Sequence, residues 1–271
     1  MKTVISAKQR GLGLNLPELF RYRDLLFLLA YRDYRVRYAQ TLLGFAWAFV
    51  QPLLTLIVFI LVFNKAARVE TGDIPYPVFV MTGMWAWSYL SFVLTQAGQS
   101  LVTSSHLITK VYFPRLLIPL GKSLVAFIDF SVTFLFLVFL MILYRYVPSG
   151  NIITLPFWII ALVALSLAAG IWLSALTIRF RDVQLVIPFL VQMGLYFSPV
   201  AYPSSRIPEQ YHGLFYLNPM ASVIDGFRWA LLGTPLPDTG YLVYSFGFIL
   251  ILVISSIYFF KRTERIVADI I

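Results

Sequence analysis

LLGFAWAFVQPLLTLIVFILVF, residues Leu42–Phe63, runs 22 positions without a charged side chain. A helix rises about 1.5 Å per residue, so this run reaches about 33 Å, the hydrocarbon thickness of a bilayer. Five more apolar runs follow: Val78–Leu94, Leu124–Leu143, Pro156–Ile178, Val183–Val200 and Tyr241–Phe260. Lipid offers the backbone no hydrogen-bond partners, so an open sheet cannot cross it and helices can. The sequence therefore predicts an all-α integral membrane protein with six transmembrane helices. What lies between the runs is short and leaves no room for a separate soluble domain.

Composition agrees. Hydrophobic residues make up 60% of the chain and charged ones 12%, with a mean hydropathy of +0.82, where soluble domains carry about 25% charged residues. There is no cysteine, which removes disulfides, thiolate metal sites and thiol nucleophiles from consideration. Residues 1–16 are polar, carry Lys2, Lys8 and Arg10, and lack the apolar core of a cleavable signal peptide.

Charge assigns the two sides. Sixteen of the 21 Lys and Arg fall in residues 1–41, in the second and fourth connections and in the tail; five, Lys65, Arg68, Arg145, Arg206 and Arg228, fall on the other side. Cytoplasmic loops are enriched in Lys and Arg, so both termini are expected in the cytoplasm. The net charge of +9 is thus a topology signal. The basic residues flank spans and form no soluble patch, which argues against nucleic-acid binding.

From Pro17 to Thr41 charges are spread too densely for a span. Asn15 and Pro17 mark a helix start, with Glu18 in its first turn. At 100° per residue, Phe20, Phe27, Tyr31, Tyr34 and Tyr38 share one wedge, with arginines and acids expected over the remaining surface. This predicts an N-terminal amphipathic helix lying in the headgroup region against membrane lipids; burial of the aromatics against the bundle is the rival reading.

Gln51-Pro52 sits near the middle of the first run. Proline kinks a helix, and glutamine at that depth faces protein or a water-filled cavity. The second run holds Trp85, Trp87, Ser88, Tyr89 and Ser91, some of which are expected as ordinary interfacial aromatics. Gln51, Trp85, Trp87, Tyr196 and Phe197 are the candidates to line a conduit, the last two because their run leads into the next outer segment. The connection Gln99–Lys122 predicts one short helix, about 104–113, capped by serine and ended by Pro114. Its apolar residues Leu107, Ile108, Val111 and Tyr112 are expected to have no span to pack against. His106 stands alone, which disfavours zinc. Gly121-Lys122-Ser123 resembles the end of a phosphate-binding loop, but that motif needs a glycine where Leu116 stands.

Asp129 is the acid within the third run, set about 8 Å in from its cytoplasmic end. A proton relay would need a second in-span acid, so pairing with a nearby base is favoured. Arg179-Phe180-Arg181-Asp182 is a tight basic turn. The outer segment 199–240 is rich in proline yet apolar at Leu214–Leu217 and Met220–Leu232, too short to span and too apolar for free loop; re-entrant gate helices are expected between spans five and six. Within it Asp225 and Arg228 stand at i, i+3 and can pair. The sequence offers no catalytic triad, no paired catalytic carboxylates and no metal cluster; it reads as a non-enzymatic chain.

These motifs resemble the membrane subunit of type II ABC exporters, in particular bacterial polysaccharide (O-antigen) exporters, over about Leu19 to Arg265. The resemblance rests on Arg32-Asp33-Tyr34-Arg35-Val36-Arg37-Tyr38, Gln40-Thr41, Leu43-Gly44, Trp47 and Gln51-Pro52-Leu53; on Leu107-Ile108, Lys110 and Phe113-Pro114-Arg115; and on Phe180-Arg181-Asp182-Val183, Ser198-Pro199-Val200, Tyr202-Pro203 and Asn218-Pro219. O-antigen, capsule and teichoic acid exporters look alike in these positions. The resemblance implies a homodimer in the bacterial inner membrane with two ATP-binding-cassette ATPase subunits, which would hold ATP and magnesium, this chain holding no cofactor. It further implies that Leu107, Ile108, Lys110, Val111, Tyr112, Phe113 and Arg115 dock on the ATPase, that residues 42–260 form the transmembrane domain between segments 1–41 and 261–271, and that the cargo is a polyprenyl-diphosphate-linked glycan. Aromatic side chains, 17% of the chain, suit sugars because they stack on apolar sugar faces. A drug or lipid permease of the same type is the alternative. A secondary transporter is disfavoured by the lack of repeats and of in-membrane ion-coupling residues, and a membrane-embedded enzyme by scattered acids and by His106 and His212 on opposite sides.

Overall fold

The computed structural model describes residues 16–39 and 41–264. Lys2, Lys8, Arg10, the cap Asn15, Gln40 and Arg265 lie outside the described residues. Among the described residues every regular element is helical. The elements are α1 (Leu16–Arg21), α2 (Arg23–Tyr38), α3 (Trp47–Phe59), α4 (Tyr76–Gly98), α5 (Ser100–Thr103), α6 (Ser105–Lys110), α7 (Leu117–Leu143), α8 (Leu155–Arg179), α9 (Val183–Phe197), α10 (Glu209–Phe215), α11 (Pro219–Leu232) and α12 (Thr239–Glu264). Short 3₁₀ turns lead into α3 and α8, and a π-helical stretch, Ile60–Ala66, prolongs α3 beyond Phe59.

Five helical stretches are long and apolar enough to cross a bilayer: Gly44–Ala66, α4, α7, Gly150–Arg179 and α12. The run Val183–Val200 does not make a sixth of that length. Its helix, α9, has 15 residues with Pro188 inside and ends at Phe197, because Ser198 is extended and Pro199 follows it. At 1.5 Å per residue it covers about 22 Å.

Local chemistry explains several boundaries. Pro75 and Pro77 open α4, where missing amide donors cost nothing. The Asn218 side chain accepts the Met220 amide (3.0 Å) and Pro219 starts α11. That helix ends at Gly233, whose φ of +72° closes a left-handed cap that a side chain would strain.

α4 is the axis of the bundle, packed against α7, α8, α9 and α11. The Trp85 indole donates to the Phe130 carbonyl (2.9 Å), lies stacked on Phe130 and Phe134, and meets Phe227 edge-on. Gly170 of α8 lets that helix approach Val93 and Ala97 of α4; a Cβ there would stand 3.1 Å from either. Gly226 of α11 lies under the Trp158 ring, where a Cβ would fall 2.2 Å from the indole.

A second, smaller core at the α6 end joins Leu29, Leu101, Ile108, Phe113, Leu117, Ile178 and Phe260. Here α2 differs from expectation. The wedge residues Phe20, on α1, and Phe27 and Tyr31, on α2, are exposed, but the opposite face of α2 is not wholly polar: Leu25, Leu26 and Leu29 pack on the bundle, with Leu29 close to Gly121 of α7. The helix therefore carries two apolar faces, one turned to its own chain and one turned out.

Candidate functional site

A cleft of about 660 Å³ opens between α2, α3, α4, α7 and α9. Gln51 and Thr55 line it from α3, Val191 and Leu195 from α9, and Trp87, Ser88, Ser91 and Thr95 from α4. The last three stand at i, i+3 and i+7, so α4 turns one hydroxyl-bearing face to the opening. Each hydroxyl donates to a carbonyl of its own helix, Trp85, Ser88 and Ser91 respectively (2.8–3.0 Å), which leaves oxygen lone pairs free to accept. A wall of this kind can carry polar cargo or water past hydrocarbon.

The end of the cleft nearest α6 is charged. Asp33 and Arg37, one turn apart on α2, face Lys122 and Asp129 on α7. Lys122 Nζ lies 2.8 Å from Asp33, whose other oxygen accepts from Arg32. Arg37 pairs with Asp129, which also accepts the Tyr38 hydroxyl at 2.7 Å. Asp129 thus has a base as partner, and the Arg37 guanidinium also lies 4.6 Å over the Phe92 ring. Burial, then the hydrogen bond to Asp129, raises the Tyr38 phenol above its usual range. The two pairs are of opposite sense along the helices, so sliding α2 on α7 would set like charges together.

Of the conduit candidates, Gln51 and Trp87 face this cleft. Trp85 does not: its polar atom and both ring faces are used within the bundle core. Tyr196 and Phe197 lie away from the cleft near the end of α9, 52% and 69% exposed. The sequence reading missed Thr55, Ser88, Ser91, Thr95 and the Asp33–Lys122 pair as cleft residues; the i, i+3, i+7 spacing on α4 was the signal for three of them.

The connection expected as one helix over 104–113 is shorter and broken. α5 and α6 are separate turns, and Val111 is already extended. Its apolar residues are not free either. Ile108 and Phe113 are buried and Leu107 is half-buried, all in the smaller core with Leu117, Ile178 and Phe260, because the chain turns them back onto the ends of α8 and α12. Lys110, Val111 and Tyr112 remain exposed, Tyr112 at 76%. Arg115 is turned to α12: its amide donates to the Glu264 carboxylate (3.2 Å) and its guanidinium to the Glu264 carbonyl (2.6 Å).

At the opposite end Asp225 and Arg228 come together on α11, 3.8 Å apart and almost wholly buried. Asp225 accepts from Ser204 (2.6 Å) and Tyr216 (3.0 Å), while Arg228 donates to the Val200 carbonyl (2.8 Å) and lies 3.6 Å over the Phe79 ring. The pair therefore fastens segment 198–216 to α11 and to the start of α4. Burial pushes the Asp225 carboxyl up, against the pull of Arg228 and the two hydroxyls, and lowers Arg228 to about 10. Among the described residues no group of three or more His, Asp or Glu is placed to hold a metal ion.

The family model for ABC-2 type transporters matches residues 24–232, from the first turn of α2 to the last residue of α11. An O-antigen export system permease protein RfbA of Klebsiella pneumoniae is 30% identical over 246 residues, 90% of this chain and 93% of the relative. The RfbA protein of Myxococcus xanthus is 28% identical over 251 residues, 91% and 96% of the two chains. The polysialic acid transport protein KpsM of Escherichia coli is 21% identical over 243 residues, 89% and 93%. With the match running through α2, the cleft and the buried Asp225–Arg228 pair, this multi-pass membrane chain belongs to the ABC-2 type transporter family.

Proposed function

We propose that this chain is the permease subunit of an ATP-driven exporter that moves a polyprenyl-diphosphate-linked polysaccharide across the bacterial inner membrane. The observation that carries the reading is the hydroxyl-lined cleft, in a chain that aligns over nine-tenths of its length with O-antigen permeases. Two copies would place their α3 and α9 faces, both largely uncovered within the chain, around a shared path lined by Gln51 and Trp87, with Tyr196 and Phe197 near its exit. In this arrangement α9 is the fifth of six crossings, both termini are cytoplasmic, and α10 and α11 are re-entrant gate helices fixed in angle by Asp225 and Arg228.

Energy comes from a separate ATPase pair, which holds the ATP and magnesium. The exposed Lys110, Val111 and Tyr112 offer it a contact, while Ile108 and Phe113, rooted in the smaller core, transmit its movement to α7, α8 and α12. A rigid root with an exposed tip is what a lever needs, since burial of the root prevents the tip from yielding alone.

Two experiments test this. Single cysteines in this cysteine-free chain should react from outside at position 206 and from inside at position 112; the reverse pattern overturns the orientation. In the complex reconstituted with its ATPase, the double change Val111→Ala, Tyr112→Ala should let hydrolysis continue while glycan transport falls, because a few apolar anchors dominate such contacts. Transport at the unaltered rate with assembly unchanged removes this loop as the coupling element. Absence of any glycan movement by the unaltered complex, with ATP turnover intact, overturns the polysaccharide reading.

A further inference from the structure

The bundle has a second cavity that shares no lining residue with the cleft. It lies beside the Asp225–Arg228 pair, between the outer loop at Glu70–Ile74, the segment 203–216 and the loop 234–238, and measures about 390 Å³. That is within the range of small-ligand sites, about 300–1,000 Å³.

Its chemistry is mixed in a particular way. Pro203, Pro235 and Pro237 form parts of the wall, and their fixed φ angles keep it from collapsing. Tyr216 and Tyr241, both in its lining, are stacked face to face at 4.7 Å and 19°, which holds the tyrosine stack rigid at its side. Arg228, 1% exposed, lies at its floor, and its Nε has no hydrogen-bond partner among the described residues. At the rim stands the exposed Asp238 carboxylate. A buried donor without an acceptor is unusual and calls for an oxygen-bearing guest.

A flat aromatic surface, one buried donor and one open acceptor, held by rigid walls, fit a pyranose. The ring's apolar face can lie on the outer face of the tyrosine stack while its hydroxyls meet Arg228 and Asp238. Metal binding fits poorly, because the buried carboxylate Asp225 already accepts from Ser204 and Tyr216.

We propose that this outer cavity is a saccharide-binding site that holds a short stretch of glycan, one or two sugar units, beside the gate segment. The proposal rests on the polysaccharide reading above. It gives the outer segment a ligand of its own: occupancy would bridge the loop at 234–238 to the floor formed by α11.

The test uses the full chain in complex with its ATPase, carrying Thr234→Cys as the single thiol. Maleimide labelling is followed with maltotriose, mannotriose or chitotriose added. At least one should slow labelling about threefold at twice its dissociation constant, since the free fraction falls as 1/(1 + [L]/Kd). Tyr241→Ala and the surface change Asp238→Asn should each weaken the protection, while a cysteine at position 153, which is 84% exposed and outside this cavity, should label at the same rate throughout. Labelling unaffected by all three sugars, or protection that survives both changes, overturns the site. Labelling needs no transport, so this failure is separate from that of the polysaccharide reading, which the wild-type transport assay decides.

Discussion

α3, with the turns that extend it over Gly44–Ala66, and α4 are both long enough to cross a bilayer, yet they are opposites in use. Over its most apolar stretch α3 is 17% buried within the chain, and α4 is 72% buried. The less hydropathic of the two is the one inside. In water the reverse would hold, because burial of apolar surface drives folding. In lipid that force is absent between helices, so the interior collects small and polar residues and rings that can pack or hydrogen-bond. α4 supplies these with Gly83, Trp85, Ser88, Tyr89 and Ser91, whereas α3 carries Leu53, Leu54, Ile57 and Val58 outward.

The sharpest way to break that comparison is to empty the centre of α4. Trp85→Ala should cost about 4 kcal/mol, the cost of a large core cavity plus a stranded Phe130 carbonyl, while Trp47→Ala on exposed α3 should cost less than about 1 kcal/mol. Thermal unfolding of the detergent-solubilised chain would show a large and a small shift; equal shifts would refute the contrast. Next in size is Arg228→Met. It leaves Asp225 buried without its cation and removes the contact on Phe79 of α4, at about 3 kcal/mol. The double change Asp225→Asn, Arg228→Met should recover part of that loss, and a double mutant no more stable than the single would show that the pair does not act together.

Overfilling the α4–α8 seam by Gly170→Leu should cost about 2 kcal/mol, because the new side chain must displace Val93 or Ala97. An unchanged chemical-denaturation midpoint would mean the seam is looser than described. Smallest of the four, Lys122→Ala should loosen α2 from α7 by about 1 kcal/mol, read as faster proteolysis within α2. The swap Asp33→Lys with Lys122→Asp should restore protection if the contact is an ion pair and not mere packing.

Five of the six runs were legible as helices long enough to cross a bilayer, since uncharged stretches near 20 residues have few other uses. Which of them is central was not, because hydropathy reports the outer surface and α4 hides its role in residues that look unremarkable singly. The length of α9 was also overestimated: the apolar run continues through Val200, and apolarity does not register that Ser198-Pro199 ends a helix. Asp129 was readable as needing a base, but not that Arg37, 92 positions earlier, supplies it. Around Leu107 the pattern showed an amphipathic turn without showing its direction, and Ile108 and Phe113 turned inward because the ends of α8 and α12 lie there.

The brevity of α9 bears on the membrane as well as on the protein. A helix of about 22 Å falls about 8 Å short of the hydrocarbon layer. Such hydrophobic mismatch is relieved by local thinning of the lipid or by association with other helices. Val191 and Leu195 of this same helix border the hydroxyl-lined cleft, so in the proposed six-crossing arrangement the bilayer would be pinched beside it. A head group crossing there would have less oil to pass than beside the longer helices.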